Sequence, residues 1–290
     1  MPHAPVSVFT VDDIGEKIPT LSYNYPNMPH INIKTEGVEK LLNNLDPSKA
    51  TGPDEIPAHI LKEYANEFAP LVAPFYNTSL SRGEVPSDWR QANVIPVFKK
   101  DEKYLASNYR PVSLTCICCK VLEHIVVSNM VKNLEIHDIL VDCQHGFRAK
   151  RSCETQLISL THEITNHLHS GIQNDLIILD FSKAFDKVPH KKLLCKLDNY
   201  GIRDTTLKWI GSFLNNRMQQ FVLDGESYSK LPVVSGVPQG FVMGQLLVLT
   251  FINDLPANVS SQTHLYANDC ILYRPIRHFS HCETLQTWIS

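Results

Sequence analysis

The sequence predicts an α+β fold, and three observations predict it. Helical periodicity dominates the first part of the chain, strand-like runs come later with helices between them, and no repeat or interdomain linker divides the 290 residues. Residues 1–34 carry five of the eighteen prolines and no clear period, so they read as an irregular extension ahead of a domain spanning 35–290. Thr35 caps a first helix bearing Val38, Leu41, Leu42 and Leu45, closed by Asp46-Pro47. The turn-rich Thr51–Pro57 launches a second with Pro57 at its first position and an apolar stripe of Ile60, Leu61, Tyr64 and Phe68. A further helical segment runs from Leu71 to Leu80 and stops at Gly83.

Val94–Phe98 reads as a strand followed by a basic loop, and Lys120–Leu134 as a helix through Leu122, Ile125, Val126 and Leu134. Ser152 opens another helix, with Leu157, Leu160, Ile164 and Leu168 on one face and Gly171 just past its end. Leu176–Asp180 is an apolar strand ending in a carboxylate. After it come a helix with Leu207, Ile210, Phe213 and Leu214 facing inward, a hairpin around Asp224-Gly225, and a helix over Gly244–Leu255. Thr263–Tyr273 is a second hairpin, and Glu283–Ser290 begins a last helix.

Composition is that of a globular protein, with 43% hydrophobic and 20% charged residues. A net charge of −3 is a poor match to a surface that neutralises phosphates along its whole length. Cations are grouped locally instead: Lys99, Lys100, Lys103 and Arg110; Arg148, Lys150 and Arg151; Lys187, Lys191 and Lys192. The eight cysteines lack zinc-finger spacing, and Cys116, Cys118 and Cys119 lie in an apolar stretch, which points to buried free thiols in a reducing compartment. No signal peptide or membrane-spanning run is visible, so an intracellular location is expected.

The chemistry concentrates at Tyr266-Ala267-Asn268-Asp269, where two strand-like runs meet at a tight polar turn. Two adjacent carboxylates at such a turn, facing a third at the end of the Asp180 strand, would make a two-magnesium site for nucleotidyl transfer. One of the adjacent pair is here an amide, Asn268.

Three segments, Leu179-Asp-Phe-Ser-Lys-Ala-Phe-Asp-Lys-Val188, Ser235-Gly-Val-Pro-Gln-Gly240 and the Tyr266 hairpin, occur in this order. They are joined by Gly52–Pro57, Val94–Lys100, Asn108–Leu114, Lys120–His124 and Gln144–Arg148. Together they resemble the reverse transcriptase of non-LTR, LINE-type (jockey-like) retrotransposons, from about residue 35 onward, with the core motifs over about 92–290. The resemblance implies right-hand polymerase fingers and palm, with an antiparallel palm sheet backed by helices. It also implies RNA-templated DNA synthesis from a primer 3′-hydroxyl, on an RNA template and a DNA primer, with dNTP and Mg²⁺.

It further assigns roles. Asp180 and Asp269 become the metal ligands, and Asn268 a degenerate third position. Arg110 with Lys99 or Lys100 grips the triphosphate, Phe185 lies under the sugar and disfavours a 2′-hydroxyl, and Gln239 with Gly240 lines the nucleotide pocket. Asp186, six residues past Asp180, is expected to be structural. Two other departures from the family pattern stand beside Asn268. Phe241 replaces a small serine and is expected to crowd the nucleotide pocket, and Gln245 replaces the proline of a helix start. The lysine-bearing segment, primer-grip strands and thumb are expected beyond residue 290, and an endonuclease domain upstream. The resulting expectation is a truncated copy with impaired or absent catalysis, set against a non-catalytic nucleic-acid-binding module and a marginally folded retrotransposon relic.

Overall fold

The computed structural model describes residues 25–181, 184–223, 225–237 and 240–286. In chain order the elements are α1 (Thr35–Asn43), α2 (Ala58–Glu63), α3 (Ala65–Arg82), β1 (Gln91–Phe98), β2 (Tyr109–Leu114), α4 (Ile117–Ile136), α5 (Cys153–His169) and β3 (Gln173–Asp180). They continue with α6 (His190–Asn199), α7 (Asp204–Leu214), β4 (Arg217–Leu223), β5 (Glu226–Ser227), β6 (Leu231–Val233), α8 (Val242–Ile252), β7 (Gln262–Tyr266), β8 (Asp269–Ile276) and α9 (Phe279–Gln286). The architecture is mixed α and β, with sheets backed by helices, as the sequence predicts. No described helix is long and apolar enough to cross a membrane.

The chain divides into two units, each made of two stretches: 1–137 with 185–244, and 138–184 with 245–290. The first holds a mixed sheet in the order β2-β1-β4-β5, with β6 also on β4. Its β1–β4 pairing is parallel, with Gln91 opposite Met218, so this sheet is not the antiparallel one the sequence predicts. Trp209 of α7 stacks on Phe213 at 5.5 Å and donates to Ser79 Oγ at 2.9 Å, tying α7 to α3. Residues 25–34 form no regular element but are anchored to the same unit. Asn77 accepts from Ile33 N–H at 2.9 Å and donates to Ile33 O at 2.8 Å. Met28 N–H donates to Gly201 O at 2.8 Å.

The second unit holds an antiparallel sheet in the order β3-β8-β7. One face carries Leu265, Cys270 and Leu272, packed by Ile177, Leu179, Val141, Leu255 and Val259. On the other face, Glu163 of α5 meets His264 Nε2 at 3.5 Å and accepts from the Tyr273 hydroxyl. Ser152 caps α5 as predicted, and Thr155 returns the bond in a reciprocal capping box.

Several local expectations need correction. Thr35 is the first residue inside α1 and Lys34 stands at the cap, without a side-chain bond. Pro57 is likewise one position out, at the cap of α2. The buried row of α2 and α3 is Leu61, Ala65, Ala69, Ala73 and Tyr76, while Ile60 and Tyr64 are exposed. Tyr64 leaves helical geometry, and α3 then runs unbroken through Pro70 and Pro74 to Gly83, which closes it at φ +68°. On α5 only Leu160 of the predicted stripe is fully buried, because Leu157 and Leu168 project into solvent at 54% and 61% exposure.

Candidate active site

The carboxylate turn forms by simple ladder geometry. Strands β3 and β8 pair antiparallel in a register that sets Asp180 directly opposite Asp269, and Tyr266 opposite Asp269 closes the β7–β8 hairpin over the two residues Ala267 and Asn268. Opposed residues of an antiparallel pair point to the same face, about 4.5–5.5 Å apart at Cβ, where like charges repel. Asp180 and Asp269 are both exposed, so the structure brings two acidic groups together with no neutralising partner among the described ion pairs.

Such a pair suits a hard divalent cation, which takes carboxylate oxygens. No third carboxylate, histidine or cysteine completes a cluster with them among the described residues. The third polar group is Asn268, whose Nδ2 lies 3.4 Å from Asp269 Oδ1. The amide thus presents a donor to an oxygen that a cation would use. The donor set fits a cation held by two carboxylates, with one neutral oxygen in reserve.

The turn does not stand alone. Ala267 has φ +54°, a left-handed conformation at the first central position of the turn, where glycine is favoured. The side chain of Gln144, 1% exposed, wraps this residue. Its Oε1 accepts from Ala267 N–H at 3.0 Å and from Gly146 N–H at 2.7 Å, and its Nε2 donates to Ala267 O at 3.2 Å. Gln144 lies in a motif noted in the sequence but given no role there. Its signal was a polar residue fixed beside Gly146, and nothing in the chain alone reveals its partner.

The first unit collects a different set. Strands β1 and β2 form a hairpin in which Val97 is opposite Arg110 and Lys99 N–H donates to Asn108 O at 2.9 Å. Alternation therefore puts Lys99 and Arg110 diagonally on one face, both exposed, with Lys100 at the start of the loop. The loop is braced: Asn108 Nδ2 donates to Glu102 O at 2.9 Å, Tyr109 Oη donates to Lys103 O at 2.8 Å, and Lys103 sits 5.6 Å from the Phe98 ring centre. Gly240, at φ +97°, packs on the same strand, where an added Cβ would lie 3.0 Å from Ser113 O. Gln239 lies outside the described residues.

Phe185 is half-buried in a turn zipped to the Ser235–Val237 loop. Val237 N–H donates to Phe185 O at 2.6 Å, Gly236 N–H to Val188 O at 3.0 Å, and Ser235 Oγ to Asp186 O at 3.0 Å. Gly236 is required here, since at φ +83° a Cβ would meet Asp186 O at 2.5 Å.

Phe241 does not crowd a pocket. It is 3% exposed, edge-on to Phe213 at 5.5 Å, with the Arg217 guanidinium 4.5 Å from its ring centre. The aromatic ring is drawn inward because Phe213 and Arg217 offer it a face and a cation. Gln245 is exposed in the first turn of α8, which begins at Val242 without a proline. Within the second basic group, Arg148 donates to Val141 O at 2.9 Å and Arg151 pairs with Asp142 at 2.8 Å. A groove of about 550 Å³ lined by His30, Asn32, Asn77, Ser81 and Thr205 contains none of the predicted site residues.

Comparison with known proteins decides the family. The profile described as reverse transcriptase (RNA-dependent DNA polymerase) matches residues 97–290. The chain belongs to the reverse transcriptase family. Among curated relatives, the chain is 27% identical over 237 residues to the RNA-directed DNA polymerase from mobile element jockey of Drosophila melanogaster, covering 80% of this chain and 25% of that protein. It is 27% identical to the probable RNA-directed DNA polymerase from transposon BS of the same species, covering 79% of this chain and 25% of the relative. It is 29% identical to that from transposon X-element, covering 81% and 26%. The chain thus spans about a quarter of the length of these relatives. Reverse transcriptases generally use divalent metal ions, and the Asp180–Asp269 pair is the part of this chain whose donors suit one.

Proposed function

We propose that the chain is the fingers-and-palm part of a non-LTR retrotransposon reverse transcriptase, built for RNA-templated DNA synthesis and impaired in this copy at Asn268. The observation that carries the reading is the cross-strand pairing of Asp180 with Asp269 at a two-residue turn containing Asn268. In this reading the antiparallel sheet of the second unit is the palm, and the β1–β2 hairpin belongs to the fingers, with residues 35–290 as one polymerase region. Asp180 and Asp269 hold Mg²⁺. Bound cations would promote attack by the primer 3′-hydroxyl on the dNTP and stabilise the departing pyrophosphate.

The chain's own residues supply the rest. Lys99, Lys100 and Arg110 are exposed donors suited to a triphosphate, with Arg110 able to engage two oxygens at once. Phe185, in its zipped turn, packs against the sugar and excludes a 2′-hydroxyl. Gly240 permits a close approach of the backbone to the nucleotide. Asn268 gives a neutral oxygen where an anion is needed, and its Nδ2 competes for Asp269.

Removing one strong electrostatic element from an active site lowers the rate by roughly 10²–10³, about 3–4 kcal/mol. Primer extension with Mg²⁺ and dNTPs is therefore expected to rise by about that factor in Asn268→Asp. Equal rates in the parent and the variant would refute the impairment, and extension surviving Asp180→Asn would refute the site.

A further inference from the structure

We propose that Gln144 is a positioning residue for the carboxylate turn, fixing both peptide groups of Ala267 so that residues 268 and 269 present their side chains beside Asp180. This deepens the cation-site reading and rests on it. The case is geometric. Ala267 is the residue before the polar pair, and it holds a left-handed φ of +54° that an L-alanine adopts only at a cost. Something must hold it there. Gln144 Oε1 takes the Ala267 N–H and Gln144 Nε2 reaches the Ala267 carbonyl, so the peptide units on both sides of Ala267 are bonded to one buried side chain.

The same Oε1 accepts from Gly146 N–H, which locks the glutamine itself. Its own backbone is docked on the hairpin. Gln144 bridges Leu265 in parallel, His145 N–H donates to Leu265 O at 2.8 Å, and Leu265 N–H donates to Cys143 O at 2.9 Å. Gly146 completes the approach, because a Cβ there would collide with the Ala267 amide. The segment leading in is held by Asn253, which accepts from Val141 N–H at 3.0 Å and donates to Ile139 O at 2.7 Å.

The chemistry of the residue matters as much as its reach. An amide supplies an acceptor and a donor together and carries no charge. Glutamate would lose the donor and add a third anion near Asp180 and Asp269, whereas lysine or arginine would lose the acceptor and offset the carboxylates. Glutamine serves both peptide groups and leaves the local charge to the two aspartates.

The test uses Mn²⁺ alone, titrated by electron paramagnetic resonance into the full chain, alongside amide hydrogen exchange. Groups that orient metal ligands typically alter affinity by about 10- to 100-fold when removed. Gln144→Met is expected to weaken Mn²⁺ binding within that range and to strip exchange protection from the Ala267 amide, with Ile177 and Leu272, paired in mid-strand, still protected. A folded Gln144→Met chain with unchanged Mn²⁺ affinity, or with protection lost evenly along β3 and β8, overturns the assignment. Gln144→Glu keeps the acceptor and serves where the methionine variant does not fold: the Ala267 N–H is expected to stay protected as in the parent, and loss of that protection overturns the role. A parent whose Mn²⁺ binding ignores Asp180→Asn overturns the cation site itself, a failure distinct from an unchanged Gln144 variant.

Discussion

The two units brace their candidate-site loops by opposite means. In the first, the loop that ends at Phe241 rests on buried charge. Glu123, fully buried on α4, accepts from Met243 N–H at 3.1 Å at the start of α8, and Arg217 lies between the rings of Phe213 and Phe241 at 4.8 and 4.5 Å. In the second, the Ala267–Asn268 turn rests on the uncharged amide of Gln144. A buried charge binds strongly when paired but responds to pH and to loss of its partner. A neutral amide does neither, and so leaves the charge at this turn to Asp269 and its cross-strand neighbour Asp180. The comparison predicts that damage to the first support reads as lost stability, and damage to the second as lost metal affinity.

The largest break is expected at Arg217. It donates to Phe213 O at 2.9 Å and to Trp89 O at 3.4 Å, and its positive charge holds down the Glu123 pKa. Arg217→Met removes both hydrogen bonds and the guanidinium's contacts with the rings of Phe213 and Phe241, which should together cost about 3–5 kcal/mol in urea unfolding. A loss below about 1 kcal/mol would erase the contrast between the units.

The next effect is one of pH. Burial, opposed by the Met243 amide and by Arg217, pushes the Glu123 pKa from 4.5 up to about 7. The folded chain therefore keeps a proton that the unfolded chain releases. This contribution is most favourable below pH 4.5 and is lost as pH rises toward 7, by about 3 kcal/mol over that window. Glu123→Gln should flatten that slope, as read by denaturation at pH 4.5, 6 and 7; an unaltered slope would remove Glu123 as its source. The smallest effect lies in the second unit, where Ser152→Ala removes one half of the α5 capping box. A loss of about 1 kcal/mol is expected, with Mn²⁺ binding unchanged.

What the sequence made legible were local features and paired motifs. Asp180 and Asp269 are each set at the end of a strand by alternation, and the two-residue turn fixes the hairpin register, so their meeting follows from short-range rules. The Ser152 cap and the Gly83 stop are equally local. Non-local partners were hidden. Nothing near Gln91 announces its parallel pairing with Met218. Periodicity marked an apolar face on α5 but not whether another element covers it, and Leu157 and Leu168 prove exposed. Phe241 was misread because nearness in sequence to a pocket motif says nothing of which way a ring turns once Arg217 and Phe213 attract it. Gln144 and Glu123 were visible as letters in motifs, but their work depends on chain more than a hundred residues away.

Among the described residues β3 is an edge strand of its sheet, and it displays Leu176 and Ile178 at 41% and 75% exposure on the way to Asp180. A free strand edge flanked by greasy side chains is a template on which another extended chain can add. Crowded or overproduced copies would therefore stick together first along Gln173–Asp180. The strand that ends at Asp180 is thereby also a place where this molecule can self-associate.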